Sequence, residues 1–273
     1  MKEQGRLETS ACKLYTIPLN MSGHSKWSTI KRQKGAADIK RGQTFTKVAN
    51  AITIAVKQGG SGDPYSNPRL RMAMDAAKTV NMPKENVQRA IDRGLGRLPG
   101  QALEEVTFEG FGPFKVAFLV EGVTDNKLRI LQEVKNLFER SGGSLAGQGA
   151  VSYMFDRVGE LKVSEVSKVS NVEEDMLELI DLGADDVEDY QEDGIQKYLV
   201  YVQSPQSNAM GNKITQAGYR VEQAEIVYKP NILVEIKDEE TAKKVLEFAQ
   251  KLEELDDIQK VYANFDIPDS LIR

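Results

Sequence analysis

The sequence predicts a multidomain protein of the α plus α+β class: an N-terminal three-helix domain followed by two ferredoxin-like α+β domains, one inserted in the other. Three observations predict it. Apolar residues recur at helical spacing up to about residue 94, then give way to alternating strand-like and helix-like segments. Glycine and proline clusters punctuate both halves at short intervals. Residues 159–228 spell βαββαβ, a complete ferredoxin-like unit, while 101–156 and 229–268 spell ββαβ and βαβ and are each incomplete. The two incomplete pieces are therefore expected to pair. This puts a helical domain at 21–98, a discontinuous α+β domain at 99–156 with 229–273, and an inserted domain at 157–228. A length of 273 residues suits two or three domains, and 40% hydrophobic residues suffice for their cores.

Residues 1–20 lack the apolar core of a signal peptide. Glu3 and Glu8 do not suit the acid-poor, Arg-rich composition of a mitochondrial presequence. The stretch reads as a disordered extension or as the product of a misassigned start, since Met21 can itself serve as initiator. Phe45, Val48, Ala49, Ile52 and Val56 predict a helix over roughly 30–58, broken near Gly35 or Gly42, with Phe45 in the core. The run 59–64, GGSGDP, is a loop. Asn67 and Pro68 supply an N-cap and a first-turn proline, and Leu70, Ala73, Met74 and Ala77 form one face of the helix that follows. Pro83 restarts a helix to about Arg93 with Val87, Ala90 and Ile91 inward, ended by Gly94 and Gly96.

In the second half, 116–120 (VAFLV) reads as a strand after a Gly-Phe-Gly-Pro turn. Thr124 or Asp125 caps a helix with Leu128, Leu131, Val134 and Phe138 on one side, and 151–155 is a further strand. Then come a strand at 161–163, a helix from Asn171 to Leu182 with Glu174 completing a capping box, and strands at 187–190 and 198–202. A helix from Ser204 and Pro205 to Gly218 and an extended run at 219–228 follow. A strand at 232–236, a helix at 239–254 and a strand at 258–265 complete the pattern.

Net charge is −5, but it is the sum of opposites. Residues 21–100 hold 15 Lys and Arg against 5 Asp and Glu, and residues 101–273 hold 18 against 34. One end is built to meet a polyanion, and the rest repels it. The basic charge is densest in 21–47, which also holds the only histidine, His24, and the only tryptophan, Trp27. Lysine and arginine attract phosphate by Coulomb force and counterion release, and an exposed aromatic can stack on an unpaired base. A solvated helix face, a helix-entry contact for His24 and a core plug for Trp27 are the structural alternatives. Arg69, Arg71, Arg89, Arg93 and Arg97 share the same domain.

Other chemistry finds little support. The single cysteine, Cys12, excludes an intramolecular disulfide and a cysteine-based zinc site. The glycine run 142–149 lacks the Lys-Ser/Thr pair of a phosphate loop and reads as a helix stop and strand-entry loop. The clusters Glu173-Glu174-Asp175, Asp185-Asp186, Glu192-Asp193 and Asp256-Asp257 have no EF-hand spacing and read as solvated faces. No apolar run approaches the roughly 18 residues of a membrane helix.

The segments GHSKW and IKRQKGAADIKRGQTFTK resemble the opening of the YebC family. Matching segments continue in order at 59–78, 81–94, 108–113, 124–126, 142–157 and 255–267. The chain departs from the family's usual pattern at Leu128 and Ile130, which flank Arg129. The family includes bacterial proteins described as transcriptional regulators and a mitochondrial translational activator of a cytochrome oxidase subunit, and members are implicated at ribosomes stalled on proline runs. The resemblance implies the same three-domain layout and a non-enzymatic, cytoplasmic gene-expression factor. Its target is DNA, in transcription regulation, or alternatively ribosomal RNA or tRNA at the ribosome; both remain open. The expected nucleic-acid-binding residues are His24, Ser25, Lys26, Trp27, Lys31, Arg32, Lys34, Lys40, Arg41, Lys47, Arg69 and Arg71. No catalytic residue, metal, cofactor, small-molecule substrate or membrane partner is expected, and the chain is expected to be a monomer. A nuclease using the acidic half, or a scaffold docking its basic domain on an acidic protein, are the competing classes.

Overall fold

The computed structural model describes residues 39–98, 102–165, 171–192, 194–268 and 271. Among these the chain begins with α1 (Ile39–Gly59), α2 (Pro68–Thr79) and α3 (Lys84–Gly94). Helix α1 runs unbroken through Gly42, contrary to the sequence expectation. An exposed glycine costs a helix only about 1 kcal/mol, less than the burial of Ile52, Ala55 and Val56 further along returns. Gly35 lies outside the described residues. Asn67 caps α2 as expected: its Oδ1 accepts from the Leu70 N–H at 3.1 Å while its Nδ2 donates to the Ala55 carbonyl at 2.8 Å. One side chain thus both starts α2 and ties it to α1.

Helices α2 and α3 pack chiefly on α1 rather than on each other. Leu70 and Ala77 come from α2, Ala90 and Ile91 from α3. The Thr53 hydroxyl donates to the Ala90 carbonyl at 3.1 Å. Gly94 allows close approach beside it, since a Cβ there would lie 2.7 Å from the Thr53 carbonyl oxygen and from Val56 Cβ. With Thr53 against Ala90 and Val56 against Gly94, α1 and α3 run in the same sense.

The remainder of the chain forms β1 (Glu104–Phe111), β2 (Ala117–Thr124), α4 (Lys127–Arg140), β3 (Ser144–Ala146), β4 (Phe155–Glu165), α5 (Val172–Asp181), β5 (Asp186–Glu192), β6 (Ile195–Gln203), α6 (Ser207–Gln216), β7 (Tyr219–Pro230), β8 (Val234–Glu235), α7 (Glu239–Glu253), β9 (Ile258–Ala263) and β10 (Phe265–Asp266). One antiparallel sheet has the order β3-β1-β2-β9, a second the order β5-β6-β4-β7, and β8 pairs with β10 in parallel. Both four-stranded sheets share one layout. Two central strands are flanked by edge strands that each follow a helix: α4 and α7 in the first sheet, α5 and α6 in the second.

Strand β2 buries both faces, which is why 116–120 reads as a continuous apolar run. Phe118 and Val120 face α4 and α7, packing on Ile130, Val134, Phe138, Val245 and Phe248. The rings of Phe118, Phe138 and Phe248 meet edge to face with centroids 4.9–6.3 Å apart, the geometry their quadrupoles favour. Ala117 and Leu119 face the other way and join Tyr262 against Phe155, Leu199, Tyr201 and Val227 of the second sheet. That sheet covers its other face with α5 and α6 through Leu179, Met210 and Ile214.

Charge is buried where the sheets meet. Glu160 is 4% exposed, with Tyr201 and Glu225 opposite it on the flanking strands. Burial, and then the Glu225 carboxylate, push its carboxyl up to about 7 against the opposing pull of Lys162 and Lys260. Lys229 Nζ lies 3.6 Å from the centre of the Tyr201 ring and pairs with Asp186 at 2.6 Å and Glu188 at 3.0 Å.

Several local expectations are corrected. The cap of α4 is Asn126, whose side chain accepts from the Arg129 N–H at 3.1 Å, not Thr124 or Asp125. The buried row of α4 is Ile130, Val134 and Phe138, while Leu128 is 75% exposed; the apolar residues allow two overlapping helical rows, and only one meets the sheet. Residues 152–154 form a 3-10 turn before β4 rather than a strand. A three-residue strand, β3, lies inside the glycine run expected to be loop, and the strand expected at 232–236 contracts to the two residues of β8.

Candidate nucleic-acid interface

Of the residues expected to bind nucleic acid, His24, Ser25, Lys26, Trp27, Lys31, Arg32 and Lys34 lie outside the described residues. Lys40 and Arg41 fall in the first turn of α1. The three others are each engaged within the chain. Lys47 Nζ donates to the Glu253 carbonyl at 2.6 Å, and Gln43 Nε2 donates to the Glu254 carbonyl at 3.2 Å. Both carbonyls sit at the C-terminal end of α7, where a cation is favoured by the unsatisfied carbonyls and the helix dipole. Lys47 therefore anchors the bundle to the acidic body. Arg69 bridges Gln58 and Glu105, and Arg71 donates to the Pro64 and Tyr65 carbonyls at 3.1 and 3.4 Å. Lys78 and Arg97 pair with Asp75 and Asp92 at 2.7 and 3.1 Å.

Two other arginines are placed differently. Between the first half of α1 and α3 runs an open groove of about 260 Å³, walled by Phe45, Ala49, Met82, Asn86, Arg89 and Arg93. Phe45, expected in the core, is only half-buried and forms part of this wall; its position on α1 precedes the stretch that α2 covers. Met82 comes just before α3, and Asn86, Arg89 and Arg93 follow at helical spacing, so all four fall on one face. Sequence alone counts Arg89 and Arg93 among the domain's cations without placing them in the site. The signal that could have singled them out is that spacing opposite Phe45 and Ala49.

The glycine run has its own internal anion. The backbone N–H groups of Gly149, Val151 and Ser152 donate to the Glu109 carboxylate at 2.8, 2.8 and 2.9 Å. Burial would raise this carboxyl, but the three N–H groups outweigh it and hold it below the usual range. These amides are thus satisfied by the chain itself. The acidic clusters, read as solvated, are in part structural. Asp175 is 2% exposed and accepts from the Tyr198 and Tyr219 hydroxyls at 2.6 and 2.8 Å. Asp257 accepts from Thr124 and Arg129, and Glu192 from Lys197, at 2.7–2.8 Å. The carboxylates turn inward where hydroxyl or cationic donors meet them. Among the described residues, no group of three or more His, Cys, Asp or Glu could hold a metal ion, and no helix is long and apolar enough to cross a membrane.

A basic helical bundle, pinned by Lys47 to an acidic body of antiparallel sheets, defines a class of protein whose net positive charge is gathered at one end. Family models match both parts of the chain. The N-terminal domain of the TACO1/YebC protein matches 25–97, and the TACO1/YebC second and third domain matches 103–265. The chain belongs to the TACO1/YebC family. It is 43% identical over 254 residues to a "Probable transcriptional regulatory protein" of Dictyoglomus thermophilum, covering 93% of this chain and 99% of that one. It is 45% identical over 252 residues to a protein of the same description from Fusobacterium nucleatum, covering 92% and 98%. A crystal structure of a conserved hypothetical protein from Aquifex aeolicus superposes with a TM-score of 0.74 at 40% identity, over 85% of this chain and 92% of that one.

Proposed function

We propose that this protein is a cytoplasmic, monomeric, non-enzymatic regulator of gene expression that acts by binding nucleic acid through residues 22–97. The observation that carries the reading is charge segregation: a net of +10 over residues 21–100 against −16 over 101–273. The name shared by the relatives supports transcription regulation, and on that reading the target is duplex DNA. A second reading, RNA at the ribosome, is favoured by one feature of the bundle. Four residues, 80–83, join α2 to α3, as in a helix-turn-helix, but the arginine-bearing face of α3 looks into the groove with α1. It is not free to lie in a major groove as a recognition helix does. The sheet topology also supports reading the acidic half as two α+β domains, one inserted in the other.

The test is binding of the full chain to duplex DNA and single-stranded RNA across a salt series. If about five cations contact phosphate, log K falls with log salt at a slope of about −4 to −5 on duplex and less on single strands. Replacing Lys31, Lys34 and Lys40 by Glu is expected to flatten the slope and weaken all sequences alike, because phosphate contacts carry no base information. Trp27→Ala is expected to cost about 1–3 kcal/mol on single-stranded RNA alone if the indole stacks. Binding indifferent to salt contradicts the reading.

A further inference from the structure

We propose that the groove between α1 and α3 is a single-strand nucleic-acid site that seats one nucleotide, its phosphate held by Arg89 and Arg93 and its base laid against Phe45 and Met82. The inference rests on the nucleic-acid reading above and deepens it by naming the site and the form of the ligand.

Three observations carry it. First, three polar side chains at the groove are uncommitted, while its two threonines bond to helix carbonyls. Asn86, Arg89 and Arg93 make no side-chain hydrogen bond or ion pair to any described residue. By contrast Lys47, Lys57, Arg69, Arg71, Lys78 and Arg97 of the same bundle are each engaged within the chain, and Lys84, likewise unpaired among the described residues, lies off the groove. Two guanidinium groups one helical turn apart offer paired N–H donors to the same anion, and arginine's planar fork matches phosphate oxygens. Second, the groove has apolar, partly exposed surface on both sides. Phe45 on α1 and Met82 at the start of the arginine-bearing face are each half-buried, which leaves surface for the face of a base. Third, the size suits the ligand. An open groove of about 260 Å³ between two helices has room for one base rather than for a duplex. Asn86, with a free amide, is placed between the two to read a base edge or a sugar hydroxyl.

The experiment uses the full chain and two labelled 12-mers of the same mixed sequence, one RNA and one DNA. Arg89→Gln with Arg93→Gln is compared with Lys78→Gln with Arg97→Gln, which removes the same charge from paired side chains on the same bundle. All substituted positions are exposed, and unchanged melting confirms folding. The groove variant is expected to weaken single-strand binding by about tenfold or more and to make the salt slope shallower by about 0.7, for the one phosphate no longer neutralised. The control pair is expected to change neither appreciably. Photocrosslinking of thio-substituted RNA is expected to mark peptides containing Phe45 or Met82. Equal weakening by both pairs, or crosslinks confined to other peptides, overturns the groove while leaving the broader reading standing. A wild-type chain that binds neither 12-mer nor duplex overturns both. A loss on RNA but not DNA assigns the site to RNA through its 2′-hydroxyl; equal loss on both assigns it to any single strand, and either result supports the site.

Discussion

Glu160 is a carboxyl group held where its charged form is disfavoured. Its usual value is 4.5 and in the folded chain it is about 7. Between these values the folded state binds a proton that the unfolded state has lost. Stability therefore falls as pH rises from about 4.5 to about 7, and the penalty is complete above that. Glu160→Gln keeps the shape and removes the titration. The variant is expected to gain on the wild type across this window, by up to about 3 kcal/mol at pH 8, since one unit of pKa is about 1.36 kcal/mol. Urea unfolding at pH 5 and pH 8 checks it, and parallel pH profiles for the two proteins would contradict it. Nothing in the sequence around Glu160 distinguishes it from the other carboxylates. Its burial depends on β6, β7 and β9 closing around it, and these strands lie far from it along the chain. Glu109 is illegible for the same reason, because its partners lie about forty residues downstream.

Elements are legible where their pattern is long and repetitive. The capped start of α2, the apolar rows of α1 and the βαββαβ order, expected at 159–228 and found at 155–230, all follow from spacing that local propensity and tertiary packing agree on. The misreadings cluster where the pattern is short. Strands β3 and β8 are too brief to show a period of two, and the first turn of α4 offers two apolar rows. Residues 155–230 have a further property that the sequence could not announce. The Asn231 N–H donates to the Met154 carbonyl at 2.9 Å, so the two ends of this stretch are side by side, as the proposed insertion requires. Excision of 155–230 with a short linker is expected to leave a remainder that melts cooperatively, though below the full chain because Leu119 and Tyr262 lose their cover. Residues 155–230 alone are expected to fold. Calorimetry and far-ultraviolet circular dichroism check both pieces, and failure of both to fold would contradict the insertion.

At the scale of the whole molecule, charge is decisive. The acidic body repels a polyanion, and the bundle anchored to it through Lys47 and Lys57 offers Arg89 and Arg93 uncommitted, with the densest basic run immediately before α1. The broad outline of the proposed site is read from composition alone. The groove is not, because it requires α1 and α3 to run side by side in the same sense. The most direct measurement is crosslinking of the full-length protein to nucleic acid in cells, with mass spectrometry of the crosslinked peptides and sequencing of the bound nucleic acid. The expected result is nucleotide adducts on peptides from residues 22–97, including the groove, with the sequenced partner deciding between DNA and RNA. Adducts confined to residues 102–268, or a protein that recovers no nucleic acid above background, would contradict it.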